Sequence, residues 1–157
     1  MRRQDRSIEG IEALAGVLGR CDVARLAIAT GGAPYIVPLC LAHELEGGKL
    51  RLYFHSAREG RKVELLREHP LVGFEADCSV QIVRGGAPCQ WTARYESVIG
   101  TGEVVALESR GEKARAMDLI MRKHGCEGPL NYPDAALNAA LLLRLDVLTI
   151  TGKRNMG

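Results

Sequence analysis

Residues 23–55 run VARLAIATGGAPYIVPLCLAHELEGGKLRLYFH. Two glycine pairs, Gly31-Gly32 and Gly47-Gly48, divide this stretch into three runs, 23–30, 35–46 and 49–55. In the third run apolar side chains alternate with polar ones, which is the pattern of a strand with one buried face. Glycine pairs between such runs are typical of tight hairpin turns. The stretch therefore predicts three consecutive antiparallel strands, a β-meander.

The rest of the chain adds helices around further short strands. Apolar residues recur at helical spacing in 7–18, 58–69 and 108–124, and Ser7 is placed to cap the first of these helices. Pro70 ends the second. Runs at 71–76, 95–107 and 141–151 have strand character, an Ala-rich helix precedes the last of them, and 78–93 is ambiguous.

This order of elements favours a single α+β domain, mainly β, over residues 1–157. Six or seven short strands with helices between and around them do not match the strict β–α alternation of a doubly wound parallel sheet. They match a closed antiparallel barrel with flanking helices, because closure removes exposed strand edges. We therefore expect a barrel.

Composition argues against several classes of function. The net charge is only +2, and the basic opening, residues 1–6, contains an acid and is followed by no aromatic residues, so we expect a solvated tail and no nucleic-acid partner. No apolar run approaches the roughly 20 residues of a membrane span, and we expect neither membrane insertion nor a secretory signal. Five cysteines without a CxxC pair, and four histidines without HExxH spacing, predict reduced thiols in a cytoplasmic protein and no metal site.

The stretch YFHSAREGRK, residues 53–62, carries the clearest chemical signal. A strand ends in His55 and Ser56, a helix begins within four residues, and Arg58, Arg61 and Lys62 are predicted to lie in its first turn. Unpaired N–H groups at a helix N-terminus bind anions, phosphate especially. Cations there oppose the helix dipole unless an anion is bound. The alternative is a solvated helix with surface cations, with His55 as an ordinary strand residue.

Two further stretches carry weaker signals. Pro38 lies inside an apolar strand and removes a ladder donor, so it belongs at a sheet edge or bulge, where backbone groups are free to meet a flat ring. A buried strand with a bulge explains the same residues equally well. The polar start of a later strand, Arg94, Tyr95 and Ser97, indicates by itself only a strand with donors at one end.

Taken together, these stretches resemble a known family. PYIVPLCLAHE (34–44), LYFHSAREGRKVELL (52–66), PLVGFE (70–75) and YESVIGTGE (95–103) are similar to the nitroimidazole-resistance (Nim) branch of the pyridoxamine-5′-phosphate-oxidase-like, FMN-binding split-barrel family. The opening MRRQDR and the closing ITGK are similar as well, so the resemblance covers residues 1 to about 153.

The resemblance implies a six-stranded antiparallel split barrel that forms a homodimer, with FMN in a cleft built from both subunits. His55 and Ser56, with Arg61 and Lys62 in the following helix, would hold the phosphate. The strand around Val37, Pro38 and Leu39 would lie along the isoalloxazine ring. Arg94, Tyr95 and Ser97 would reach the flavin or its phosphate.

The implied function is that of an FMN-dependent oxidoreductase acting on a nitroaromatic or another small molecule. No residue is an obligatory acid, base or nucleophile, and His55 is the best titratable candidate. The substrate-phosphate residues of a true pyridoxamine-phosphate oxidase are absent, so we do not predict that reaction. A non-catalytic flavin-binding or flavin-sensing module, and a haem or deazaflavin binder on the same fold, remain alternatives. Trp91 would cover the flavin or, alternatively, pack in the core or an interface.

Overall fold

The computed structural model describes residues 4–156, and residues 1–3 of the expected solvated tail lie outside this range. The helices and strands are, in chain order, β1 (Ser7–Ile8), α1 (Ile11–Arg20), β2 (Val23–Ile28), β3 (Tyr35–Cys40), β4 (Ala42–Glu46), β5 (Lys49–Ser56), α2 (Arg61–Glu68), β6 (Leu71–Val83), β7 (Thr92–Ala106), α3 (Arg110–Lys123), α4 (Asp134–Ala139) and β8 (Leu141–Asn155).

The strands form one antiparallel sheet in the order β3-β2-β6-β7-β8-β5-β4, with β1 paired to the end of β8. The expectation of a closed barrel needs correction, because within residues 4–156 no ladder joins the edge strands β3 and β4. The six-stranded split barrel that the resemblance implied is not confirmed, since the described sheet has eight strands. The chain passes from one edge to the other through the single residue Leu41, so the sheet curls back on itself. Pro38 lies in edge strand β3, as predicted, where its missing N–H costs no ladder bond.

Several predicted boundaries differ from the observed ones. Ser7 does not cap α1: it pairs with Lys153 in β1, and α1 begins after Gly10, whose φ of 88° lies in the left-handed region that favours glycine. The run at 35–46 is divided into β3 and β4. The strand starting at Leu71 continues through the ambiguous segment to Val83, and its ladder with β7 is shifted by a bulge between Cys78 and Gln81.

The main hydrophobic core lies on the inner face of the curled sheet. Leu14, Val17 and Leu18 of α1 pack there against inward side chains of the strands, and Leu66 of α2 joins them. Gly100 of β7 makes room for this packing, since a Cβ at that position would lie 2.5 Å from the ring of Phe74. The absence of a side chain at Gly100 therefore lets the largest apolar residue of β6 enter the core.

The outer face of the sheet has two unlike halves. Over β4, β5 and β8 it is covered by α3, and Tyr53 and Leu142 pack there against Ala116 and Ile120. We call this the covered half. Over β3, β2, β6 and β7 no described helix lies on it, and three apolar side chains project with about three-fifths of their surface exposed: Ile36 at 61%, Leu71 at 60% and Ile99 at 61%. We call this the bare half.

Candidate functional site

Three elements meet where the sequence predicted an anion site: the start of edge strand β3, the end of β5 and the N-terminus of α2. We call this region the α2 corner. Arg61 places its guanidinium carbon 5.1 Å from the ring centre of Tyr35, a cation–π contact that ties α2 to β3. Tyr35 was not among the predicted site residues, although the alternation in 35–39 places it on the same face as Val37 and Leu39.

The N-terminus of α2 carries no side-chain cap. Its N-cap residue is Gly60, with a φ of 110°, and no side chain of residues 4–156 bonds the first N–H groups. The side chain of Lys62, in the first turn, forms no hydrogen bond or ion pair with any described residue, and neither does the exposed side chain of His55 at the end of β5. Uncapped N–H groups beside an unpaired ammonium fit an anion such as a phosphate.

The other predicted phosphate ligands are arranged differently. Ser56 is buried, and its hydroxyl donates to the carbonyl oxygen of Ala57 at 2.8 Å. Successive strand residues point to opposite faces, which is why His55 is exposed while Ser56 is not. Arg58 does not lie in the first turn of α2, which begins at Arg61: its guanidinium donates instead to the carbonyl oxygen of Asn138 at 3.1 Å.

The predicted ring-binding strand is β3. Val37 and Leu39 are half-buried and pack against the main core, while Pro38 between them is exposed on the outer face. Because β3 is an edge strand, only one side of its backbone is paired, with β2. Any contact between β3 and a flat ring would therefore come from its unpaired backbone side.

The polar start of β7 is remote from the α2 corner within one chain. The part of β7 that faces α2 across a shared cleft is Val104–Ala106. Ser97 is seven residues away along the same strand, which corresponds to about 23 Å at the rise of an extended chain. Arg94 and Tyr95 lie further still, paired with Gln81 and Asn155. The described chain thus does not bring Arg94, Tyr95 and Ser97 together with Lys62.

A cleft of about 860 Å³ lies between α2 and the facing ends of β7 and β8. Its floor is apolar, with Val63, Val104 and Leu143, and its rim carries charges of both signs, including Arg67 and Glu108. Neither Arg61 nor Lys62 lines it. Gly60, the N-cap residue of α2, does line it, so the cleft reaches the uncapped helix end on a side that Arg61 and Lys62 do not line.

The segment 78–93 forms an exposed arm made of the ends of β6 and β7 and the turn between them. Trp91 is 50% exposed at its tip, and the Arg84 guanidinium lies 5.5 Å from the ring centre. Trp91 is therefore not a core residue of its own chain. Contact with a flavin or with an interface, the other two interpretations, is not tested by the single chain.

The charged residues of the covered half contrast with the α2 corner. Glu44 accepts hydrogen bonds from Tyr53 Oη at 3.1 Å and from Arg115. Burial, and then Glu44, raises the pKa of Tyr53. Arg144 donates to Asp146 at 2.9 Å. These charges are satisfied within the chain, and no cluster of three or more His, Cys, Asp or Glu suited to a metal occurs among the described residues.

No helix within residues 4–156 has the length and apolarity to cross a bilayer.

Comparison with known proteins identifies the fold and the lineage. The family model described as Pyridoxamine 5'-phosphate oxidase matches residues 12–154. An uncharacterised protein of Rhizobium meliloti strain 1021 is 33% identical over 116 residues, 71% of this chain and 67% of that protein.

Two solved structures are similar over almost the whole chain. One, from Bacteroides thetaiotaomicron, is provisionally named a 5-nitroimidazole antibiotic resistance protein: it is 29% identical, with a TM-score of 0.80 over 94% of this chain and 86% of that one. The other is a FAD-binding protein from Mesorhizobium loti, 25% identical, with a TM-score of 0.66 over 96% of this chain and 97% of that one.

Proposed function

The chain belongs to the pyridoxamine 5'-phosphate oxidase family, and from this premise we propose that it binds FMN at the α2 corner and uses it in the reduction or oxidation of a small molecule. The observation that carries the proposal is the uncapped N-terminus of α2 beside a lysine, Lys62, that has no anionic partner among residues 4–156. The FAD-binding protein of Mesorhizobium loti supports a flavin as the ligand.

The residues of the corner divide the binding between them. Lys62 and the N–H groups at the start of α2 hold the phosphate, a charge-assisted contact at a helix N-terminus. Arg61, kept on the ring of Tyr35, adds a second positive charge without moving away from the site. The unpaired backbone side of β3 around Val37, Pro38 and Leu39 donates to and accepts from the polar edge of the ring. His55 faces solvent at the end of β5, where it contacts the phosphate or the substrate.

When bound, FMN supplies hydride or electron transfer, and the protein supplies orientation and exclusion of water. No nucleophile is required, and Ser56 and His55 of the α2 corner are not a nucleophile–base pair, because they point to opposite faces of β5 and the Ser56 hydroxyl donates to Ala57. We propose nitroaromatic compounds as the first substrate class to examine, because the similar protein of Bacteroides thetaiotaomicron carries a nitroimidazole-resistance name. Oxidation of pyridoxamine phosphate itself is not part of the proposal.

We further propose that the site is shared by two copies of the chain. Arg94, Tyr95 and Ser97 lie too far from Lys62 within one chain to bind the same ligand, so they contribute only from a second copy. The bare half supports this arrangement, because the apolar side chains of Ile36, Leu71 and Ile99 project from it and would pack against an identical surface.

The decisive experiment for the ligand is the visible spectrum of the purified protein, followed by denaturation and chromatography of the released chromophore. Release of FMN is the expected result. FAD would keep the flavin proposal and change the nucleotide, whereas haem or a deazaflavin would replace it. A colourless protein that does not bind added FMN in a fluorescence titration contradicts the proposal.

The substrate class is tested anaerobically. The bound flavin is reduced chemically, a nitroimidazole is added, and reoxidation is followed at the flavin band, with free reduced FMN as the reference. We expect faster reoxidation on the protein than in solution. If neither nitro compounds nor oxygen reoxidise the bound flavin faster than free FMN, the protein is a flavin carrier or sensor.

Light scattering after gel filtration tests the shared site, with Ile99→Glu as the variant and Met121→Glu on α3 as the matched control. We expect a dimer for the wild type and the control. The Ile99→Glu variant should be a monomer that binds FMN at least tenfold more weakly, since a buried unpaired charge opposes association. A wild-type monomer that holds FMN at micromolar concentration refutes the shared site.

A further inference from the structure

Two cysteines from distant parts of the sequence meet where α1 ends against β6. Cys21 is the C-cap residue of α1 and is fully buried, and its Sγ donates to the carbonyl oxygen of Val17 at 3.2 Å. The Sγ of Cys78 lies 4.0 Å from the same oxygen and is half-buried. One backbone oxygen therefore contacts both thiols.

A guanidinium lies over Cys78. In the ladder between β6 and β7, Cys78 is paired with Glu96. The Arg20 side chain reaches that glutamate with two hydrogen bonds, from Nε at 3.0 Å and from Nη2 at 2.7 Å. The hydrogen bond to Glu96 raises the pKa of Arg20, and the adjacent Cys78 contributes in the same direction. The Arg20 guanidinium therefore lies between the Glu96 carboxylate and the Cys78 sulfur.

The two thiols have unequal surroundings. Burial raises the pKa of Cys21 to about 12, with a further contribution from Cys78, so Cys21 stays protonated and shielded from reagents. Cys78 is reached from solvent and has Arg20 beside it. An oxidant would therefore meet Cys78 first, with Cys21 positioned behind it.

We propose that Cys78 and Cys21 form a reversible disulfide when the protein meets a peroxide. The Cys78 thiolate attacks one peroxide oxygen and the O–O bond breaks, giving a sulfenic acid and, with one proton, water. The Cys21 sulfur then attacks the Cys78 sulfur, and the S–O bond breaks. The hydroxide leaves as a second water with the Cys21 proton. Two thiols and one hydrogen peroxide thus give one disulfide and two waters.

The local backbone suits this change. The β-bulge between Cys78 and Gln81, with Ser79 at a φ of 59°, interrupts the β6–β7 ladder immediately after Cys78. A bulge lets the strand adjust there without disturbing the ladder on its other side, where Asp77 pairs with Ser97. The disulfide would fasten the end of α1 to β6, and it involves none of the residues of the α2 corner. Cys78 does pair with Glu96, between Tyr95 and Ser97 of the proposed shared site, but the test below follows thiol oxidation and needs no bound flavin.

The proposal is tested on the reduced wild-type protein, treated with a small excess of hydrogen peroxide and quenched by alkylation. Intact mass should fall by two hydrogen atoms, peptide mapping should find Cys21 joined to Cys78, and dithiothreitol should restore both thiols. Cys89→Ser, which removes an exposed cysteine of the arm, should behave as the wild type. A disulfide between other cysteines, or none while Cys40 and Cys89 are oxidised, overturns the proposal.

Variants separate the two roles. Cys78→Ser should form no disulfide, and Cys21→Ala should accumulate a dimedone-reactive sulfenic acid at Cys78. Since Cys21 is buried and its replacement can unfold the chain, Arg20→Gln provides a second measurement on surface residues. It should slow disulfide formation at least about threefold, because the guanidinium beside the Cys78 sulfur no longer offsets negative charge that develops there, whereas Glu96→Gln, which retains the guanidinium and removes a carboxylate, should not slow it. Equal rates in wild type and Arg20→Gln contradict the role of the cation.

Discussion

The two halves of the outer sheet face both carry apolar side chains, but a helix covers only one of them. In the covered half, Tyr53 and Leu142 are buried beneath α3, and the charges around them are paired within the chain. In the bare half, Ile36, Leu71 and Ile99 project without a described helix to cover them. The α2 corner resembles the bare half in this respect, since Lys62 lacks a partner within residues 4–156. Incompleteness within one chain marks the surfaces that we assign to binding.

The largest expected difference comes from one substitution made in both halves. Ile120→Ala removes an α3 side chain that is 2% exposed where the helix packs on the covered half, and it should lower the free energy of unfolding by about 2–5 kcal/mol. Ile99→Ala, in the bare half, should change the free energy of unfolding of the single chain by no more than about 0.5 kcal/mol. Urea denaturation at low protein concentration measures both. Equal losses would mean that the bare half is structural.

Lys62→Ala should weaken FMN binding by about tenfold or more, because a hydrogen bond to a charged group contributes roughly 1.5–3 kcal/mol. The melting temperature of the protein without flavin should change little, since the Lys62 side chain forms no ion pair with a described residue. Flavin-fluorescence titration gives the affinity. An unchanged affinity removes Lys62 from the site, and Lys49→Ala, an exposed lysine on β5, serves as the matched control.

Tyr53→Phe should cost about 1–2 kcal/mol of unfolding free energy, because it removes the hydrogen bond to Glu44 in the covered half. FMN affinity should stay within twofold, roughly 0.4 kcal/mol. Tyr35→Phe is the opposite case: it keeps the ring beneath Arg61, and we expect neither stability nor affinity to change by more than that margin. A large loss of FMN binding in Tyr53→Phe would couple the two regions.

The smallest effect concerns pH. Burial lowers the pKa of His43 on β4, and Lys123 lowers it further. Neutral His43 is therefore favoured in the folded chain. Its contribution to stability is present above the unfolded pKa of about 6.5 and is lost as the pH falls from there through the lowered pKa of the folded chain. Wild type should lose more stability than His43→Gln between about pH 7 and pH 5. Parallel pH profiles for the two proteins would show that His43 does not contribute.

The sequence predicted best where local pattern and tertiary structure agree. The alternation in 49–55 gave β5 to within one residue, and Pro38 was correctly assigned to an edge or bulge. The prediction for Ser7 was wrong because pairing with Lys153, at the other end of the chain, outweighs a local capping signal. Arg58 was wrongly placed in the helix, because α2 starts after its N-cap residue Gly60 and not at the first of the three cations.

The site could be predicted only in part. Each stretch of the α2 corner lies on a strand end or helix start that the sequence marks, so His55, Ser56, Arg61 and Lys62 were predicted there, whereas Tyr35 was missed. The distance between Ser97 and Lys62 depends on strand order, and strand order is not encoded in any single stretch. The segment 78–93 was ambiguous in the sequence. Its apolar residues Val80 and Ile82 lie exposed on the arm, so this part of β6 lacks the buried face that produces a clear strand pattern.

The position of β8 governs how this chain is made. Residues 141–155 pair with β1, β5 and β7, and these ladders join segments that are far apart in sequence. While the chain is being synthesised, the facing edges of β5 and β7 stay unpaired until residues 141–155 have been made, so the sheet cannot be completed before then. Folding that depends on such distant pairings is slow and leaves open strand edges exposed to other chains. A ribosome that stalls before residue 141 would therefore release a product prone to aggregation.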